Sequence, residues 1–316
     1  MAKPRGSDPV KKPRQHHVWQ QYLRAWSVGG EVYCLQGDRI FRTGTPVLGM
    51  ATDFYKLRPL TEGDLKLLKF LLALDKVHPI ARKHHEMVLQ NILIPMVFVQ
   101  QNRDKLNNLS PVDDLLDTHN TNAVDNQHTV IERTFAPLLA RSLGGDFSWY
   151  ENDKDCISFC NFVGAQQMRT RGVKERTISR LKERMGVDIS RIWDILALIF
   201  GFNIGCGLFL ERKKRRLIAV RNDTAVPFIT SDQPVTNLHG NGETPPEILS
   251  LYYPISPWLA LYLGEPDEVT DTPFEAMTAR AATCLNLRIA KSSHSQVYAQ
   301  TPDPLTAVRD HLHGVA

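Results

Sequence analysis

Two adjacent histidines, His16 and His17, open the most chemically promising stretch of the chain, QHHVWQQYLRAW over residues 15–26. A neutral imidazole can ligate a metal or act as a general base near neutral pH. Neighbouring residues on a helix point about 100° apart, so one ring of the pair is expected to face a site and the other solvent or core. The competing role is a helix-start residue that satisfies backbone groups. Glu132, at the start of VIERTFAPLL, is either an acid facing the helix dipole or a carboxylate turned into a site. Phe162, Gln166, Arg169, Val173 and Arg176 recur at helical spacing. Such a stripe is unusual for a pure core, because a buried guanidinium requires partners. Arg169 suits bidentate binding of a phosphate or carboxylate; its alternative is an internal ion pair with Glu132 or Glu175. Ser231 and Asp232 close the strand-like VPFIT. Asp232 there is placed to bind a cation or orient an imidazole, or to cap its own backbone in an Asx-turn.

Other polar clusters carry less. HPIARKHHEM lacks HExxH spacing and reads as surface histidines. The run RKKRR, residues 212–216, reads as a solvated basic patch that can also contact phosphate. No GxGxxG, Walker A, GxSxG or EF-hand pattern occurs. The five cysteines are odd in number and form no CxxC pair, which fits reduced thiols in a cytoplasmic protein.

Elements that position these residues follow from the chain's patterning. With 316 residues and 42% hydrophobic content, the chain can bury a sizeable core. Residues 1–14 hold five basic residues and one acid, so this arm carries the net charge of +4. It is expected to be a flexible basic arm able to touch an anionic partner. No apolar run of signal-peptide type follows its basic residues. Residues 15–316 are expected to form one α+β domain. Within it, 15–60 read as a helix with Val18, Tyr22 and Trp26 on one face, then a hairpin turning at Gln36-Gly37-Asp38. Residues 61–210 read as helical, opened by a capping box at Thr61. An Asn-, Asp- and Thr-rich stretch over 102–127 reads as a long loop or broken helix. Residues 211–316 read as strands with one helix over FEAMTARAATCLNLRIAKS. The N-terminal hairpin and C-terminal strands are expected to share a mixed or antiparallel sheet. IWDILALIFGFNIGCGLFL has the length of a membrane span, but Asp194, Asn203 and its glycines favour a core helix, and no membrane is expected.

Taken together, QHHVWQQYLRAW, IERTFAPLL, FVGAQQMRTRGVKE, FITSDQPV and YPISPW resemble an uncharacterised, mainly bacterial domain family of unknown function. Members resemble QH(H/Y)VPxxYLxxF, FxxxQxxRTPxxRE and FITSDxPV. Trp19, Trp26 and Arg171 depart from that pattern at positions of structural character. The resemblance implies the architecture and the choice of residues, and names no reaction. If the distant motifs converge, His16, His17, Glu132 and Asp232 would supply catalytic groups. His16, Glu132 and Asp232 would hold a divalent cation, Mg2+ or Mn2+. Gln166, Arg169, Glu175 and Ser231 would bind substrate. That set would suit metal-assisted phosphodiester hydrolysis on nucleic acid or a nucleotide. The rival expectation is a non-catalytic binding or regulatory protein, in which these groups form a buried network or a small-anion sensor site.

Overall fold

The computed structural model describes residues 10–72, 78–105, 110–240, 248–265 and 277–314. In chain order these form β1 (Arg14–His16), α1 (Gln20–Leu23), β2 (Glu31–Gln36), β3 (Arg39–Gly44) and β4 (Met50–Thr52). Helices α2 (Glu62–Leu72), α3 (Pro79–Asn102), α4 (Ser110–Leu143), α5 (Asp153–Met168), α6 (Arg171–Met185) and α7 (Trp193–Leu210) follow. The last third holds β5 (Arg216–Arg221), β6 (Thr230–Ser231), β7 (Thr236–Asn237), β8 (Leu251–Ser256), β9 (Leu259–Gly264), α8 (Ala279–Ser292), β10 (Val297–Ala299) and α9 (Asp303–Leu312). The fold is α+β, with a helical middle between two strand-rich ends.

The hairpin β2–β3 does join C-terminal strands, in a four-stranded sheet of order β3-β2-β10-β6. The other C-terminal strands form a second sheet, β5-β9-β8-β7, so there are two larger sheets rather than one. Every described pairing is antiparallel. One hydrophobic cluster unites the N-terminal aromatics with α4, α5 and the β8–β9 sheet, a second unites α2, α3 and α7, and a third lies between the sheets and α8 and α9.

Three local expectations are corrected. First, the histidines precede the helix: Gln15 and His16 lie in the extended β1, and helical turns begin only at Gln20. Second, in the stretch expected to be a long loop or broken helix, α3 ends at Asn102 and residues 110–127 form the unbroken first half of α4, a helix of 34 residues. Three of its turn-favouring side chains compete poorly with the helix here because each has a partner. Thr121 and Thr129 donate to the carbonyls of Asp117 and Asp125 one turn back, and Asn122 bonds outside the helix. Third, the described part of the arm, residues 10–14, is tied to α4 and β4. Asn122 Nδ2 donates to Val10 O, Lys12 N donates to Asn122 Oδ1, and Asp53 N donates to Pro13 O. Lys11 pairs with Asp117. Residues 1–9 lie outside the described residues.

Trp193–Leu210 is long and apolar enough to cross a membrane by length and composition. Here it lies largely buried, packed along α5 and α3. The capping box at Thr61 forms, with Thr61 N donating to Asp64 Oδ2 and Asp64 N to Thr61 Oγ1.

Candidate functional site

The N-terminal segment reaches the far end of the chain through its aromatics. Tyr22 Oη donates to Pro254 O at 2.6 Å, so its lone pairs are left to accept from Thr230 Oγ1 at 2.5 Å. Trp26 Nε1 donates to Phe228 O. Gln15 clamps two elements at once, donating to Thr121 O on α4 and accepting from Tyr55 N. These bonds fix the segment at both ends, to α4 through Gln15 and to the C-terminal strand region through Tyr22 and Trp26.

Between that segment and α4 lies a cavity of about 330 Å3. Arg14, His16, Trp19, Gln20, Gln21 and Arg24 form one side. Asp125, His128, Thr129 and Glu132 form the other; their spacing of three, four and seven residues puts them on one face of α4. Arg169, at the C-terminal end of α5, closes the floor. Trp19 is held in its wall by the rings of Phe135 and Phe162.

Arg169 is 4% exposed and almost fully engaged. Its Nε donates to Tyr55 Oη at 3.1 Å, its Nη1 to Glu132 Oε1 at 2.6 Å, and its Nη2 to His16 O. Burial works against its charge, and Tyr55 and Glu132 more than compensate, raising its pKa. The internal ion pair weighed for Arg169 therefore exists, with Glu132 rather than Glu175.

Several motif residues meet here and others do not. His16 and Glu132 line the cavity, and Gln166 supports it from behind by donating to His17 O at 3.1 Å. The strand geometry turns His17 the other way, against Phe54 at 5.0 Å between ring centroids. Asp232 lies apart from the cavity lining. Its carboxylate accepts from the backbone N–H groups of His294, Ser295 and Gln296 and from Ser295 Oγ, organising the turn before β10. It caps the backbone of a distant turn and not its own. Ser231 Oγ accepts from Gln233 N, and Glu175 pairs with His294 at 3.2 Å. The triplet of His16, Glu132 and Asp232 is thus not assembled, and among the described residues no group of three His, Cys, Asp or Glu is arranged to hold a metal.

Sequence reasoning missed Arg14, Arg24, Asp125 and His128. The signal was present in the α4 spacing of Asp125, His128 and Glu132, but it is unreadable once 102–127 is taken as a loop. Two of the three HPIARKHHEM histidines also differ from expectation, while His78 is exposed as expected. His85 is buried and bonds Asn203 of α7 at 2.7 Å, and His84 stacks on Phe202. The basic run is partly paired, Arg212 with Asp153 and Arg215 with Glu211.

The pocket histidines are held neutral. Burial lowers His16, assisted by Arg169 and Arg14 and opposed by a hydrogen bond to the Pro46 backbone. Burial and Arg169 take His128 well below the usual imidazole range. His17 is pushed down to about 3, first by burial and then by Arg171 and Arg169. Burial conversely raises Asp125 towards its neutral form.

A pH dependence of stability follows. The folded state keeps these rings unprotonated, whereas the unfolded chain binds protons below about 6.5, so stability falls as pH drops through that value. At pH 5 the cost is on the order of 2 kcal/mol for each of His17 and His128. Asp125 and Asp194, both raised by burial, act in the opposite sense, but nearer the ordinary carboxylate range. Urea midpoints at pH 7 and pH 5 check this: a clear fall is expected, and equal midpoints would contradict the buried neutral rings.

With this geometry in place, the comparison with known families bears on the C-terminal third. Residues 200–303 match the family described as Protein of unknown function (DUF4238). No curated protein and no solved structure matches the chain. The DUF4238 stretch runs from the second half of α7 through β10 and includes Ser231 and Asp232. Every cavity-lining residue lies outside it. The DUF4238 match therefore covers the C-terminal strands on which Tyr22 and Trp26 dock, but not β2 and β3, and the recess is built by the residues that precede it.

Proposed function

We propose that the recess binds a small anionic molecule, with a phosphorylated compound of nucleotide size as the class that its chemistry favours. The observation that carries this reading is the pair Arg14 and Arg24. Both are exposed, both line the recess, and among the described residues neither enters an ion pair. The third guanidinium, Arg169, is closed by Glu132, so it serves as scaffold. With Arg169 and Glu132 cancelling, the two guanidiniums of Arg14 and Arg24 outnumber the one remaining carboxyl, Asp125, so the mouth is net positive. Small-molecule pockets run from about 300 to 1,000 Å3, and this recess sits at the lower end. A nucleotide fits that size better than a nucleic-acid strand.

Calorimetric titration at low salt with inorganic phosphate and with adenosine monophosphate tests the reading. Wild-type protein is expected to bind at least one of them. Arg14→Ala and Arg24→Ala are each expected to weaken binding by about tenfold, with an unchanged melting temperature. Absence of binding by both compounds would remove the proposal.

A second reading, metal-assisted phosphodiester hydrolysis, is favoured by one observation: α4 carries two carboxylates and an imidazole, Asp125, Glu132 and His128, along the same recess. Mg2+ or Mn2+ there would lower the pKa of a bound water. With Glu132 already paired to Arg169, oxygens of the substrate would have to complete the coordination. Cleavage of bis(p-nitrophenyl) phosphate with added Mg2+ or Mn2+, lost in Asp125→Asn, would support it. No cleavage with either ion would leave the binding reading alone.

A further inference from the structure

The side of the recess that carries Arg14 and His16 is weakly held by its own sheet. β1 is three residues long and pairs only with the three-residue β4. Its register is instead set from α4. Asn122 is 6% exposed and offers its carboxamide as a strand edge would: Nδ2 donates to Val10 O at 2.9 Å, and Oδ1 accepts from Lys12 N at 2.8 Å. Donor and acceptor thus engage the carbonyl of one residue and the amide two residues on. The ties of Lys11 to Asp117 and of Lys12 Nζ to Asn126 Oδ1 lie in exposed surroundings and contribute little. Gln15 secures the middle of β1 through its buried bonds to Thr121 O and Tyr55 N, so Asn122 governs the chain that leads into Arg14. Asn122 does not line the recess.

We infer that Asn122 is a positioning residue of the binding site: it seats the chain over Val10 to Lys12 that leads into Arg14, and ligand affinity depends on that seating. The inference rests on the anion-binding reading above. Two part-buried hydrogen bonds are removed in Asn122→Ala, so the strand end is released and Arg14 no longer meets the ligand in a fixed place. Arg24 follows α1, where Tyr22 is anchored to the sheets, and is unaffected.

A double-mutant cycle on adenosine monophosphate binding tests this. Asn122→Ala is expected to weaken binding by about tenfold in the wild-type and Arg24→Ala backgrounds. In the Arg14→Ala background the same change is expected to cost about twofold or less, because the group it positions is gone. Equal losses in both backgrounds would mean a general structural effect and overturn the inference, as would no loss in wild type. Should Asn122→Ala fail to fold, linkage provides the same reading on unaltered protein. Saturating adenosine monophosphate is expected to slow tryptic cleavage after Lys11 by about tenfold, and an unchanged rate would overturn the inference. If wild type binds neither phosphate nor adenosine monophosphate, the anion-binding reading itself fails, which is a different result from a neutral Asn122→Ala.

Discussion

Glu132→Ala is expected to destabilise the protein by about 3–5 kcal/mol, more than removal of any exposed ion pair in the chain. Arg169 is 4% exposed and cannot reach water when its carboxylate partner disappears, so an uncompensated charge is left inside. The same guanidinium also holds Tyr55 Oη and His16 O, so its rearrangement would disturb β1 as well. Glu132→Gln keeps an acceptor for Nη1 and is expected to cost clearly less. Chemical denaturation of the two variants checks the order. Equal stabilities for Glu132→Ala and wild type would mean that the pair contributes nothing to the fold.

The second large effect is expected at Gly164→Ala. Helices α5 and α7 approach so closely that a Cβ at Gly164 would stand 2.1 Å from Gly201 O and 2.8 Å from Gly205 N. Those neighbours are backbone atoms of a buried helix, so no side chain can swing aside. Gly205 faces the same contact from the other helix, with Asn161 Cα at 2.6 Å from its added Cβ. Overpacking costs about 1–3 kcal/mol where side chains can adjust, and a backbone clash is expected to reach or exceed the top of that range. Gly207→Ala, on the same helix with open space around it, is the control and is expected to be nearly silent. A Gly164→Ala variant that melts with Gly207→Ala and wild type would contradict this close approach.

The architecture was legible where period and punctuation agree. The hairpin at Gln36-Gly37-Asp38, β8 and β9, and α8 all carry alternation or helical spacing bounded by Gly, Pro or a cap. The first half of α4 was not legible, because its Asn, Asp and Thr residues favour turns locally, and their satisfaction depends on a strand more than a hundred residues away. The same fact hid half of the recess. His16 and Arg169 were readable as polar residues beside apolar patterns; Glu132 was readable as a site carboxylate, but its expected place at a helix start is wrong, because α4 begins at Ser110. Asp232 was equally conspicuous, yet its role is to collect three backbone N–H groups before β10, and a sequence shows an acid without showing what it accepts from. Arg14 and Arg24 gave no signal, since exposed arginines are common and only a shared cavity singles out these two.

The anchoring of Tyr22 has a consequence for synthesis on the ribosome. Its acceptor, the Pro254 carbonyl, lies 232 residues downstream, and the socket for Trp26 is made by Phe228. While the chain emerges N-terminus first, Trp19 can find its rings at Phe135 and Phe162 once about half the chain is made, whereas Tyr22 and Trp26 stay without their seats through most of elongation.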